Sequence, residues 1–121
     1  MKILTVIAAV LISSTAFCGS GKVLRTEQFE SGKIKAVYTE VAKGSVEVVN
    51  YWENGIVREK GQYLDGKLSG TWMSYSEEGT KVSEATFEQG KRTGVAYAWS
   101  DSGVLIGTVD YTNDGYAELV E

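Results

Sequence analysis

Residues 61–67, with the sequence GQYLDGK, have the glycine and lysine spacing of a phosphate-binding loop. In such a loop a Ser or Thr follows the lysine and binds Mg²⁺, and the N-terminus of a helix holds the phosphates. Leu68 stands at the hydroxyl position here, and the surrounding residues are typical of a strand and a turn. We therefore interpret the segment as structural and predict no nucleotide transfer.

Residues 110–121 have the outline of a calcium-binding loop. The loop positions that fit are occupied by Asp110, Asp114, Gly115 and Glu121. Thr112 replaces the Asp or Asn expected at the third position, and the pattern predicts no flanking helices. A turn between two final strands explains the same residues, so we predict no metal site.

The residue types that most enzymes use for catalysis are scarce in this chain. Its 121 residues include no histidine and one cysteine, which excludes Ser-His-Asp and Cys-His triads and nearly every zinc or iron site. The formal net charge of -4 does not attract a nucleic acid backbone. Carboxylates at predicted turns are Glu53, Glu77, Glu78 and Asp101, where exposure disfavours a catalytic pair. We expect a protein that is not an enzyme, has no cofactor and does not bind nucleic acid.

Lysines follow glycines at three predicted turns, namely at Lys33, Lys67 and Lys91. The favoured interpretation is that they protect strand ends and keep the surface charged. An anion-binding role is the alternative.

The first 18 residues have the pattern of a secretory signal peptide. Lys2 precedes an apolar run over 3–12, and small residues follow before Cys18. Cleavage could follow Ala16 or Cys18, and a lipidated Cys18 is an alternative that the large Phe17 disfavours. The apolar run is shorter than the roughly 20 residues of a membrane span. We therefore expect no stable membrane span and an exported protein, either periplasmic, envelope-associated or secreted; an uncleaved N-terminal anchor is the alternative.

A repeat of 24 residues is visible in the glycines and the aromatic residues. The glycine series are Gly55, Gly79 and Gly103, then Gly66 and Gly90, then Gly70 and Gly94. The aromatic series are Tyr51, Tyr75 and Trp99, then Tyr63, Phe87 and Tyr111. We predict a β-hairpin repeat domain over 19–121, with repeats that start near 51, 75 and 99.

Glycines at turn positions recur every 11 to 13 residues and predict an all-β chain. These glycines are Gly32, Gly44, Gly55, Gly66, Gly79, Gly90, Gly103 and Gly115. Asn54-Gly55 and Asp65-Gly66 favour type I′ turns, because these residues tolerate positive φ. The predicted strands are 23–29, 33–41, 45–52, 56–64, 68–75, 80–87, 92–99, 104–111 and 116–120. We expect an antiparallel meander of about nine short strands in a curved, single-layer repeat sheet.

The sequence resembles the bacterial MORN repeat variant at residues 51–55 (YWENG) and 61–75 (GQYLDGKLSGTWMSY), and again at residues 87–94 (FEQGKRTG). The resemblance extends from about residue 47 onwards. The sequence departs from the repeat at Ala96, because the equivalent residue 24 positions earlier is Trp72, which predicts a tryptophan there. The chain resembles in particular the antitoxin-like proteins of the YwqK type, among which it resembles the short exported members. The resemblance implies hairpin repeats, a binding role and no catalytic residue, although similar proteins carry an inherited nicotinate-mononucleotide adenylyltransferase name.

Aromatic residues occur on both faces of the predicted strands, and a single-layer sheet leaves one face partly open. Core packing is the default interpretation of these rings, and a stacking or protein-binding surface is the alternative for rings that are exposed. Our candidate for the open face is formed by Tyr75, Tyr97 and Trp99. Rings contribute contact area with little loss of side-chain entropy, so we expect this face to bind a protein or an envelope glycan. The leading function is a non-catalytic exported repeat module, and the alternatives are an enzyme and an antitoxin-like protein.

Overall fold

The computed structural model describes residues 21–112 and 118–120, which form one antiparallel sheet in which each strand pairs with the next along the chain. The strands are β1 (Lys22–Gln28), β2 (Ile34–Ala42), β3 (Ser45–Tyr51), β4 (Val57–Leu64), β5 (Lys67–Tyr75), β6 (Lys81–Glu88), β7 (Lys91–Trp99), β8 (Leu105–Asp110) and the three-residue β9 (Glu118–Val120). The predicted all-β meander is confirmed. The signal segment and Gly115 lie outside the described residues, as does half of the calcium-like loop, namely 113–117 and 121.

Two kinds of turn alternate along the chain and place successive hairpins at opposite ends of the strands. The tight turn between β4 and β5 has positive φ at both Asp65 and Gly66, with values of 49° and 80°. Gln89 and Gly90 repeat this geometry between β6 and β7, at 50° and 82°. Both turns have the pair of left-handed residues that defines type I′, as predicted for Asp65-Gly66.

The predicted type I′ turn at Asn54-Gly55 is wrong. Gly55 has a φ of 90°, whereas Asn54 does not have positive φ. The Gly55 N–H donates to the Trp52 carbonyl at 2.9 Å, and the Trp52 N–H donates to the Ile56 carbonyl at 2.8 Å. The connection is therefore a longer loop, in which a turn is followed by one left-handed glycine. The pairing of β3 with β4 shifts by one residue between Asn50 and Tyr51, next to this loop. The loops at 29–33, 76–80 and 100–104 have the same hydrogen bonds.

Bulges interrupt the pairing of β5 and β7 with the strand before each of them. Gly70 and Gly94 have φ values of 69° and 67°, which side chains rarely adopt. The register shifts between Lys60 and Gln62 opposite the first bulge, so three residues of β5 face one residue of β4. The residue that faces this bulge is Gly61, and the bulge brings Trp72 over it.

The core of this thin sheet is small and is centred on Trp72, whose side chain is 8% exposed. The indole packs against the Gly61 backbone and meets the Tyr63 ring edge-on, with ring centroids 5.2 Å apart. Its Nε1–H donates to the Gln62 carbonyl at 3.1 Å. Ala36 and Val48 are the other buried apolar side chains among the described residues. Burial of one tryptophan with its polar atom satisfied anchors this part of the sheet.

Side chains in the loop after β3 connect one repeat to the next. The Trp52 Nε1–H donates to the Tyr75 carbonyl at 2.9 Å, and the Asn54 Nδ2–H donates to the Glu77 carbonyl at 2.9 Å. Asn54 Oδ1 also accepts the Ile56 N–H at 2.9 Å, which fixes its own loop. Two neighbouring loops are thereby held at a fixed distance, and with them the Tyr75 end of β5.

Candidate binding surface

Tyr97 and Trp99 form a stacked ring pair near the end of β7. They are two residues apart on one strand, so their side chains project from the same face of the sheet. The ring centroids are 5.7 Å apart and the ring planes differ by 21°. Tyr97 is 37% exposed, in contrast to the buried Trp72. Trp99 is half-buried, so the pair has one exposed and one partly covered ring, and stacking holds the two in a fixed arrangement.

Lys81 connects this ring pair to Tyr75. Its backbone pairs with Tyr75 across β5 and β6, and its Nζ lies 4.7 Å from the centroid of the Trp99 indole. The Lys81 ammonium also lies 3.7 Å from the Glu84 carboxylate. A cation over the face of an indole is attracted by the ring quadrupole. Tyr75, Lys81 and Trp99 thus form a row across three neighbouring strands.

Tyr75 is half-buried, as Trp99 is, and is less exposed than Tyr97. Its hydroxyl donates to the Met73 Sδ at 3.7 Å, on the same strand and the same face. Its carbonyl accepts the Trp52 indole N–H described above, which holds the end of β5 in place.

Exposed aliphatic side chains extend the surface onto β8. Leu105 pairs with Trp99, and Thr108 pairs with Tyr97. The exposed fractions of Leu105 and Ile106 are 51% and 68%, and Val104 next to them is 61% exposed. We call the two rings and these three exposed side chains the β7–β8 patch (Tyr97, Trp99, Val104, Leu105, Ile106). Exposed apolar areas on small proteins commonly mark interaction sites.

The structure brings Tyr97 and Trp99 into contact and joins Tyr75 to them through Lys81. Sequence reasoning missed Lys81 and the three aliphatic residues of β8. Lys81 lies opposite a register shift between Ser74 and Tyr75, which a regular alternation does not predict. The run Val104-Leu105-Ile106 was visible in the sequence, as three consecutive apolar residues directly after a turn glycine.

The other candidate chemistry gains no geometric support. The phosphate-loop lookalike forms the end of β4, the tight turn and the first residue of β5. In the described parts of the chain there is no group of three or more Cys, Asp or Glu side chains that could hold a metal ion. Asp110 Oδ1 accepts the Thr112 hydroxyl at 2.5 Å and the Thr112 N–H at 2.8 Å, and these hydrogen bonds lower the pKa of Asp110. Asp110 thus closes a local turn.

Comparison with known protein families finds a similarity on one hairpin. The family model described as the MORN repeat variant matches residues 46–65. This segment is similar to a MORN repeat variant. The matched segment covers most of β3, the loop with Trp52 and Asn54, and β4 up to the tight turn. The β7–β8 patch lies two hairpins further along the same sheet.

A comparison with solved structures shows a protein with a similar fold. No curated protein matches the chain. Among solved structures, a chain described as "Crystal Structure of TarM" superposes with a TM-score of 0.53 at 10% sequence identity. The match covers 81% of this chain and 19% of the TarM chain, so the chain corresponds to about a fifth of that protein. Among the residues that the structure describes, no helix is both long and apolar enough to cross a membrane.

Proposed function

We propose that this chain is an exported, non-catalytic repeat module that binds a protein or an envelope glycan through Tyr75, Tyr97 and Trp99. The observation that carries the proposal is the stacked Tyr97–Trp99 pair beside exposed Leu105 and Ile106. A ring pair of this kind buries a large area on a partner at a low entropic cost.

The contrast between Trp72 in the first repeat and Trp99 in the third supports a binding role for Trp99. Trp72 is buried against a glycine and its N–H is satisfied by a backbone carbonyl. Trp99 instead contacts a partly exposed tyrosine and a lysine ammonium at the surface. A side chain needed for the core would resemble the first case, so the second case favours contact with a partner.

The test is a double variant, Trp99→Ala with Tyr97→Ser, used to capture partners from the native cell envelope. We expect the variant to remain folded by far-UV circular dichroism and to lose the captured partner, because it removes the central rings of the surface. A purified partner then allows the loss to be measured as a dissociation constant. A fall in affinity of at least about tenfold is expected for a central ring.

The matched control is Val23→Ser with Leu24→Ser. These residues are exposed by 54% and 47% and lie on β1, at the other side of the sheet. The control removes a similar amount of exposed apolar surface and should capture the partner normally. If the ring variant unfolds, the rings are structural. If both variants lose the partner equally, the contact does not involve the rings. Either result contradicts the proposed surface.

Export is tested separately, by mass spectrometry of the native protein from fractionated cells. We expect a new N-terminus after Ala16 or Cys18 in an extracytoplasmic fraction. An intact Met1 in the cytoplasmic fraction would contradict export, and a diacylated Cys18 would identify the protein as a lipoprotein.

A further inference from the structure

An open hollow of about 490 Å³ lies at the end of the sheet opposite to the end with Trp99. Its lining consists of Lys67, Glu88, Gln89, Lys91, Arg92 and Thr93. Three cationic side chains and one carboxylate leave two net positive charges, on a chain with a formal net charge of -4. We infer that this hollow binds a compact oxyanion of the phosphate class, a site distinct from the β7–β8 patch.

The tight turn between β6 and β7 explains why cations from two repeats converge here. The Gly90 N–H donates to the Leu68 carbonyl at 2.9 Å, so this turn leans onto the beginning of β5. A β-carbon on Gly90 would lie 3.9 Å from the Lys67 Cβ. Lys67 is thereby brought beside Lys91, although 24 residues separate them in the sequence.

Arg92 is held in place by neutral partners, and neither lysine of the hollow is in an ion pair of the described residues. The Arg92 guanidinium donates to the Tyr111 hydroxyl at 2.9 Å and lies over the Phe87 and Tyr111 rings, at 5.9 and 5.6 Å from their centroids. A guanidinium has five N–H donors, so donors remain for an anion. The ion pairs found among the described residues, Arg25–Glu27 and Lys81–Glu84, involve neither Lys67 nor Lys91.

The preceding repeat has fewer of the features that we assign to anion binding. The positions 24 residues before the six hollow residues are occupied by Lys43, Leu64, Asp65, Lys67, Leu68 and Ser69. Two cations and one carboxylate leave one net positive charge there, against two in the hollow, and Leu68 stands where the hollow has the Arg92 guanidinium. The positive charge is therefore greater at the hollow than at the equivalent turn of the preceding repeat.

Gln89 is an unusual residue for its position and contributes a neutral donor. It has a φ of 50°, at the place where the preceding tight turn has Asp65. Asp and Asn tolerate the left-handed region more readily than longer side chains do. The Gln89 amide lines the hollow together with the Thr93 hydroxyl, and both groups can donate hydrogen bonds to oxyanion oxygens.

The experiment follows the backbone amides of Gly90 and Thr93 by NMR in the purified protein at constant ionic strength. Inorganic phosphate is titrated against chloride, and glycerol phosphate is titrated in parallel. Because the charges are exposed, we expect saturable shifts with a dissociation constant on the order of 1 mM, which increases with added salt. A second arm uses vesicles of phosphatidylcholine with and without phosphatidylglycerol, which distinguishes a lipid headgroup from a free phosphate ester.

Two variants should change the affinity in opposite directions. Lys67→Gln with Lys91→Gln should weaken binding by at least about tenfold, because two of three cations are removed. Glu88→Gln should tighten it, because it removes the repelling carboxylate. The control, Lys22→Gln with Lys33→Gln, makes the same change in net charge at exposed sites on or next to β1 and should leave the affinity unchanged.

Three results would overturn the site. The first is the absence of saturable shifts with phosphate, glycerol phosphate and vesicles alike. The second is an equal loss of binding in the control variant, since this would be a response to net charge. The third is unchanged or weaker binding by Glu88→Gln while circular dichroism shows that this variant is folded.

Discussion

Trp72 lies so close to Gly61 that a β-carbon at residue 61 would overlap Cδ2, Cε2 and Cε3 of the indole. Gly61 is not in the left-handed region, so the space taken by the ring, and not the backbone conformation, requires glycine here. In the next repeat the corresponding residues are Ala85 and Ala96. The glycine and tryptophan pair of one repeat is thus replaced by two alanines in the next. This is expected if the two side chains fill one common volume, so that a smaller residue at one position allows a larger one at the other.

Gly61→Ala should lower the free energy of unfolding by about 1–3 kcal/mol, because it overpacks a site occupied by a rigid ring. Gly107→Ala is the matched control, since no atom lies within 4 Å of its β-carbon position. It should be neutral or slightly stabilising. Urea unfolding followed by circular dichroism measures both changes, and equal effects for the two substitutions would contradict a clash with Trp72.

Trp72→Ala should cost about 3–5 kcal/mol, because it empties the centre of the small core. Adding Gly61→Ala to this variant should cost little more, because the ring that a new β-carbon would strike is absent. The double variant reproduces the Ala85–Ala96 arrangement of the next repeat. A double-mutant cycle measures the coupling, and additive losses would show that the two residues act independently.

Asn54→Ala should destabilise the sheet by about 1–2 kcal/mol, because it removes the hydrogen bond to the Glu77 carbonyl and the one from the Ile56 N–H. The control is Ser102→Ala, at the corresponding position two repeats later. Ser102 contacts the Ser100 hydroxyl within its own loop, so its loss should have a smaller effect. Thermal unfolding of both variants provides the comparison, and a larger loss for Ser102→Ala would refute the role of the link between repeats.

Glu47→Gln should stabilise the protein at neutral pH. Burial raises the pKa of Glu47, and the attraction of Lys60 offsets this only in part. The folded state therefore holds the proton more tightly than the unfolded chain, and the stability that protonation provides is lost as the pH rises through the raised pKa. The gain should be under about 1 kcal/mol, because the side chain is only half-buried. It should shrink as the pH falls through the raised pKa and be absent below the ordinary value of 4.5.

Denaturant unfolding at several pH values measures this gain. The control is Glu53→Gln on an exposed loop. A gain for Glu47→Gln that is the same at acidic and neutral pH would show that its effect does not come from ionisation.

Gln89→Asn should raise the free energy of unfolding by about 0.5–1 kcal/mol, because Asn adopts the left-handed region at lower cost than Gln. Asp65→Asn is the control at the corresponding turn and should change little, since Asp already suits a φ of 49°. Calorimetry of the two variants distinguishes them. A destabilised Gln89→Asn would indicate that contacts of the Gln89 side chain outweigh its backbone cost.

The strands and most of the turns could be predicted because each is encoded locally. The glycine spacing and the alternation along each strand do not depend on distant residues. The loop at Asn54-Gly55 was mispredicted because its length depends on the register between β3 and β4, which the dipeptide alone does not determine. The sequence could not predict that Trp72 is buried and Trp99 only partly so. The burial of each ring depends on the residue next to it on the neighbouring strand, which is Gly61 for Trp72 and Lys81, beside a register shift, for Trp99.

The strictly sequential order of the strands also determines how the protein responds to force. Each strand from β2 to β8 is hydrogen-bonded to the strand before it and the strand after it along the chain, and the edge strands β1 and β9 pair with one neighbour each. Tension applied between β1 and β8 would load the hydrogen bonds of one strand pair at a time, so the sheet would peel from its edges without shearing as a whole. Each strand pair would therefore separate in its own step at low force, because the strands of a repeat protein are stabilised mainly by their nearest neighbours. The links from Trp52 and Asn54 to the next repeat would make the peeling pause between β3 and β6.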